Sequence, residues 1–202
     1  MNNKGCFGIG TVGLIILILT FVLGIWAYTT YNSMIKSNNA VQKNWANVET
    51  VYQKRANLIP NLANTVKAYT KYEEETLTKV IEARSKATQI TIDPTNMTEA
   101  DLAKFQAAQG EVSGALSRLM AVVENYPNLK ADQQFIDFQK EYTAIENSIR
   151  AETVNYNAAV KEYNTSIKVF PNNIIANFSN FKEKPLFKAD AGAEKAPEVF
   201  TE

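Results

Sequence analysis

Glu73, Glu111, Glu146 and Arg150 are the residues of this 202-residue sequence from which a buried site could be assembled. Inward-facing glutamates from several helices are the ligands of di-metal carboxylate bundles. Those centres also use Glu-x-x-His motifs, and this chain has no histidine. The same absence removes His-based catalytic dyads and triads. One cysteine, Cys6, supplies neither a zinc ligand set nor an internal disulfide. What these residues can form is a polar layer. Glu146 and Arg150 stand at i,i+4, and Glu73 or Glu111 can reach the same guanidinium from neighbouring helices, fixing their register. No catalytic, cofactor-binding or metal-binding residue is expected, and no cofactor.

Twenty-one basic residues balance 21 acidic ones, so no field gathers nucleic acid, and a nucleic-acid partner is excluded. The elements that must position the layer begin with a membrane segment. Residues 8–28 carry no charge and are almost wholly apolar, long enough for a hydrocarbon core of about 30 Å. The run ends in Ile25-Trp26-Ala27-Tyr28 rather than a cleavage site, so it reads as an uncleaved anchor with Trp26 and Tyr28 at the interface. Residues 1–7 form a short tail before it. Lys4 and the amino terminus face Lys36 and Lys43 across the span; the near tie leans to a bundle outside the cytoplasm.

Behind the anchor, apolar residues recur at steps of three and four, which predicts helices throughout residues 31–181. The first helix is expected over Tyr31–Ala56, with a tight turn at Asn57-Leu58-Ile59-Pro60, since proline suits a first turn and breaks an interior. The second is expected over Ile59–Gln89. The third spans Thr98–Asn125, opened by a Thr98/Asp101 capping box, and the fourth spans Ala131–Val169, stopped by Phe170-Pro171. The fold class is all-α: a transmembrane helix followed by an antiparallel up-and-down four-helix bundle. A short apolar segment, Ile174–Phe178, is expected across an open end of the bundle, and residues 182–202 are expected to be a flexible tail.

Tyr156-Asn157 and Tyr163-Asn164 repeat at seven residues and so share a helix face. Such asparagines commonly set alignment by hydrogen bonding across helices. Arg55 is placed to pair with an acid such as Glu141.

A set of motifs in order carries a resemblance. Trp45-Ala46-Asn47-Val48 is followed by Tyr52-Gln53-Lys54-Arg55-Ala56-Asn57-Leu58-Ile59-Pro60-Asn61-Leu62 and Thr65-Val66-Lys67-Ala68-Tyr69. Then come Glu82-Ala83-Arg84, the block from Glu124 through Tyr126-Pro127 to Lys130, Glu146–Arg150, and the two Tyr-Asn pairs. Together they resemble the LemA family of bacterial membrane proteins. The resemblance implies a single-pass protein with an antiparallel helical bundle and no assigned reaction; some members are linked to membrane remodelling or envelope functions. Tyr72 stands where relatives often carry histidine.

These readings converge on a non-enzymatic, membrane-anchored scaffold or assembly protein of the bacterial cytoplasmic membrane. Its expected partners are the lipid bilayer, other membrane or envelope proteins, and a second copy of itself. The alternative is a ligand-sensing bundle.

Overall fold

The computed structural model describes residues 4–69 and 74–188, with side chains from residue 11 onward. Its elements are α1 (Lys4–Tyr69), α2 (Glu74–Thr88), α3 (Glu99–Val123), α4 (Pro127–Lys130), α5 (Gln133–Lys168) and α6 (Asn172–Phe178). Among the described residues every regular element is helical.

The apolar run and the first bundle helix are one uninterrupted helix of 66 residues. Between Thr11 and Ile25 its residues are exposed, whereas Met34, Val41, Trp45 and Val48 are buried at the helical spacing expected of a core face. The turn expected at Asn57–Pro60 is absent, and Pro60 lies inside α1. A mid-helix proline removes one N–H and crowds the carbonyl four residues earlier. Here that carbonyl is Ala56 O, and Arg84 Nε on α2 donates to it at 2.7 Å. The side chain replaces the missing donor, so the helix continues to Tyr69. The second helix is accordingly shorter than expected, beginning at Glu74 instead of Ile59.

Capping accounts for the other ends. Thr98 and Asp101 form the expected reciprocal box, with Asp101 N donating to Thr98 Oγ1 and Thr98 N to Asp101 Oδ2. Asp132 caps α5 by accepting from Gln134 N and Phe135 N. Helix α6 ends in a Schellman arrangement: Asn180 sits at φ 56°, and Phe181 N donates to Ala176 O at 3.0 Å. Asparagine tolerates this left-handed position, and the chain there reverses direction.

Helix α1 packs against α2 and α5, and α2 against α3, while no Cα of α3 comes within 8 Å of one on α5. Antiparallel register between α1 and α5 is marked by Tyr69 with Asp132, Arg55 with Glu146, and Trp45 with Tyr156. Two apolar cores result. The core farther from the apolar run joins α1 to α2, α3, α4 and α5 through Leu58, Leu62, Val80, Leu116, Leu119, Leu129 and Phe135. The proximal core has α1, the start of α3, the end of α5 and α6 around Trp45, with Ile92 and Met97 from the connection where α2 has already ended.

Residues 182–188 complete the proximal core. They run extended along α5, with Lys184 and Phe187 buried. That differs from the expected flexible tail: its sparse apolar content conceals one aromatic anchor, and its backbone polar groups are satisfied by α5. Residues 189–202 lie outside the described residues.

Candidate functional site

Arg55 occupies the junction of the two cores and is 2% exposed. A buried guanidinium requires acceptors for its fork of donors. Nη1 donates to Ser113 Oγ at 2.7 Å and to Glu146 Oε1 at 3.0 Å; Nη2 donates to Gln109 O at 3.0 Å and Gln109 Oε1 at 2.6 Å. Its carbon lies 4.9 Å from the centre of the Tyr52 ring, a cation–π distance. The single side chain thus ties α1 to α3 and α5 across the side of the bundle where those two helices stand apart. Tyr142, one turn from Glu146, has its phenol pushed above the ordinary range by burial and by the Glu146 carboxylate.

The cluster around Arg55 differs from the expected polar layer in its cation and in most of its members. Glu146 belongs to it. Arg150 is exposed and lies at the rim, because Ile149 takes the core position on that turn. Glu111 is on the surface, 3.6 Å from Lys86. Glu73 lies outside the described residues. Glu141, expected opposite Arg55, is exposed, and Glu146 takes that place. Depth along α5 brings Arg150 near Glu146, and the face it presents, outward beside the inward Ile149, takes it out of the cluster. Gln109 and Ser113 were not anticipated, since neutral polar residues on a helix give no periodic signal.

Tyr156, Asn157, Tyr163 and Asn164 form a second constellation. Asn157 donates Nδ2 to Phe187 O at 3.2 Å and accepts from Phe187 N at 2.9 Å. Asn164 repeats this with Lys184 O at 2.8 Å and Lys184 N at 2.9 Å. The phenols of Tyr156 and Tyr163 donate to Pro185 O and Lys182 O at 3.1 and 3.0 Å. Seven helical residues advance about 10.5 Å, and three extended residues advance nearly the same distance. A heptad on α5 therefore matches a three-residue step on the segment, and each amide imitates the edge of a strand. The asparagines align this segment instead of another helix.

Phe187 stacks on Trp45 at 6.1 Å and meets Tyr156 edge-on at 5.4 Å. Lys184 reaches the connection after α2, donating Nζ to Pro94 O at 3.0 Å and to Thr95 O. Burial lowers the Lys184 pKa, while Asp93 opposes that shift. Burial likewise raises the phenols of Tyr156 and Tyr163.

The remaining motif positions have structural places. Trp45 centres the proximal core, with Phe105 at 5.2 Å. Pro60 frees the carbonyl that Arg84 takes. Asn61 presents its carbonyl to Thr65 Oγ1 at 3.1 Å. Tyr126 and Pro127 open α4, with Pro127 at a first-turn position. Among the described residues, no three His, Cys, Asp or Glu side chains gather to hold a metal ion.

Among the described residues one helix is long and apolar enough to cross a bilayer, and its continuity with a buttressed helical bundle defines a membrane-associated helical protein. The LemA family model matches residues 44–200, and the chain belongs to the LemA family. It is 26% identical to Protein LemA of Metamycoplasma hominis over 178 residues, covering 86% of this chain and 77% of that one. It is 24% identical to Magnetosome protein MamQ 2 of Paramagnetospirillum magneticum, covering 85% and 71% of the two chains. With Magnetosome protein MamQ of Magnetospirillum gryphiswaldense the identity is 23%, covering 90% and 76%.

Proposed function

We propose that this protein is a membrane-anchored scaffold or assembly protein of the bacterial envelope, acting by contact with other membrane or envelope proteins and without catalysis. The observation that carries the reading is the continuity of α1. The same helix supplies the apolar run and the core face of the bundle, so the bundle is held rigidly at the bilayer surface. Its most buried charged group, Arg55, has its donors engaged by Ser113, Glu146 and Gln109, which suits a strut better than a reactive centre. The family and relative names are not those of enzymes. The membrane is the bacterial cytoplasmic membrane, with the bundle outside the cytoplasm.

In-cell crosslinking of the full chain tests contact directly and should capture a reproducible envelope protein or a second copy. A form beginning at Tyr31 should fold but fail to restore the phenotype of a deletion strain. Full rescue by it would overturn the scaffold reading.

A ligand-sensing bundle is the second reading, favoured by an open recess of about 480 Å³ between α3 and α5, floored by Tyr52 and Arg55 and rimmed by Gln106 and Arg150. A small molecule retained there at full occupancy through purification would place this reading first.

A further inference from the structure

The end of the bundle nearest the apolar run carries an unusual surface. Phe170, Ile174 and Phe178 are 81%, 55% and 93% exposed. They recur every four residues, on and just before α6. From Val169 to Phe181 the chain has no charged residue, and Lys168 and Lys182 bracket the stretch. Isolated exposed apolar residues are ordinary, but a clustered set on an uncharged element marks a contact surface.

Its position identifies the occupant. Helix α6 packs on both α5 and α1, and Phe181, just beyond it, lies 5.8 Å from Tyr31 between ring centres. Tyr31 stands three residues past Tyr28, about 4.5 Å along the helix axis. The far end of α6 is thus within a turn of the point where the apolar run ends. Trp26, Tyr28 and Tyr31 mark the end of the apolar run on α1, and Phe181 lies beside Tyr31, a distribution suited to a membrane–water boundary. A short uncharged helix with an apolar face, followed by Lys182, fits the headgroup and upper acyl region, while Lys168 is paired with Glu183 at 2.6 Å.

We propose that α6 is a second membrane contact: Phe170, Ile174 and Phe178 insert into the surface of the same bilayer that α1 crosses, so that the protein stands on a foot beside its anchor. This rests on the reading of residues 8–28 as a transmembrane span. The foot restrains the tilt of the bundle and places α5 and the 182–188 segment at a fixed height above the lipid.

Site-directed spin labelling of the full chain tests it. Single cysteines are introduced into a Cys6→Ser background as Leu17→Cys, Val154→Cys, Ile174→Cys and Phe178→Cys. The protein is reconstituted in phosphatidylcholine–phosphatidylglycerol vesicles at less than one copy each, and collisions with oxygen and a water-soluble nickel chelate are compared. Position 154 is a control, since Val154 is 63% exposed on α5 and about 21 Å from its carboxyl-terminal end. Expected is an oxygen-dominated signal at 17, 174 and 178 and a chelate-dominated signal at 154. Lipid-type behaviour at 17 with water-type behaviour at 174 and 178 would overturn the foot and leave the anchor standing. Water-type behaviour at 17 would overturn the anchor and the foot together. Protection at 174 and 178 that appears only when vesicles carry several copies would assign the surface to a second copy and overturn the lipid contact.

Discussion

Arg84 donates to the carbonyl of Ala56, the acceptor that Pro60 strands four residues later on the same helix. The proline and the arginine are complementary halves of one local solution, contributed by different helices. Arg84→Met should cost about 1–3 kcal/mol by leaving that carbonyl without its donor. Pro60→Ala restores an N–H, so the cost of Arg84→Met in that background should fall by roughly 1 kcal/mol. A double-mutant cycle by urea unfolding measures the coupling, and strict additivity would show that the two residues act independently.

Arg55 and Arg150 should separate sharply. Arg55→Ala removes the donor shared by Ser113, Glu146 and Gln109 and should destabilise the bundle by about 2–4 kcal/mol, the lower figure reflecting a partly solvated Glu146. Arg150→Ala should stay within roughly 0.5 kcal/mol of the parent, as exposed positions do. Equal losses for the two variants would contradict the assignment of Arg55 as the central cation.

The Tyr-Asn ladder makes a local prediction. Asn157→Ala and Asn164→Ala each remove an acceptor from one backbone amide, that of Phe187 or Lys184 respectively. Hydrogen exchange at the matching amide should accelerate by roughly 5- to 30-fold, equivalent to 1–2 kcal/mol of lost local protection. Exchange in the α3 interior should remain slow. Unchanged protection at residues 184 and 187 would mean the segment is held by Phe187, the two tyrosine phenols and Lys184 without the asparagines.

Acid should act at two helix caps, Asp132 at the tip beside Tyr69 and Asp101 at the start of α3. Hydrogen bonds from Tyr69, Phe135 and Gln134 hold the Asp132 carboxyl below its ordinary 3.8. Those from the Thr98 side chain and amide do the same for Asp101. Each group's folded pKa is depressed, so its contribution is present above the ordinary value and lost as pH falls through the folded one. A form beginning at Tyr31, followed by circular dichroism, should lose stability progressively below about pH 4. Asp132→Asn should be less stable at neutral pH and flatter in this acid limb.

The sequence pattern made some elements far more legible than others. Thr98 with Asp101 announces a helix start because both halves of the box lie within four residues. The core faces of α3 and α5 follow from heptad spacing, as Leu102, Leu116 and Leu119 show on α3 and Ile149, Tyr156 and Tyr163 on α5. Pro60 misled because its compensating donor comes from another helix, and no local rule sees Arg84. Arg150 misled for a different reason: its i,i+4 spacing from Glu146 does not say which residue of that turn faces the core, and Ile149 does. The 182–188 segment escaped notice because backbone groups held by Asn157 and Asn164 leave no trace in the segment's own composition.

The single helix has a mechanical consequence. From Tyr28 to Tyr69 it extends about 60 Å at 1.5 Å per residue. With residues 8–28 embedded, the span and the Tyr69–Asp132 tip form the short and long arms of a lever. Apolar spans change tilt when bilayer thickness changes. Without the restraint proposed for α6, a swing of ten degrees at the membrane would sweep the tip sideways by roughly 10 Å for an arm of this length. Arg84 at Ala56 keeps Pro60, about four-fifths of the way along this arm, from acting as an elbow, so the last turns of the helix move with the rest.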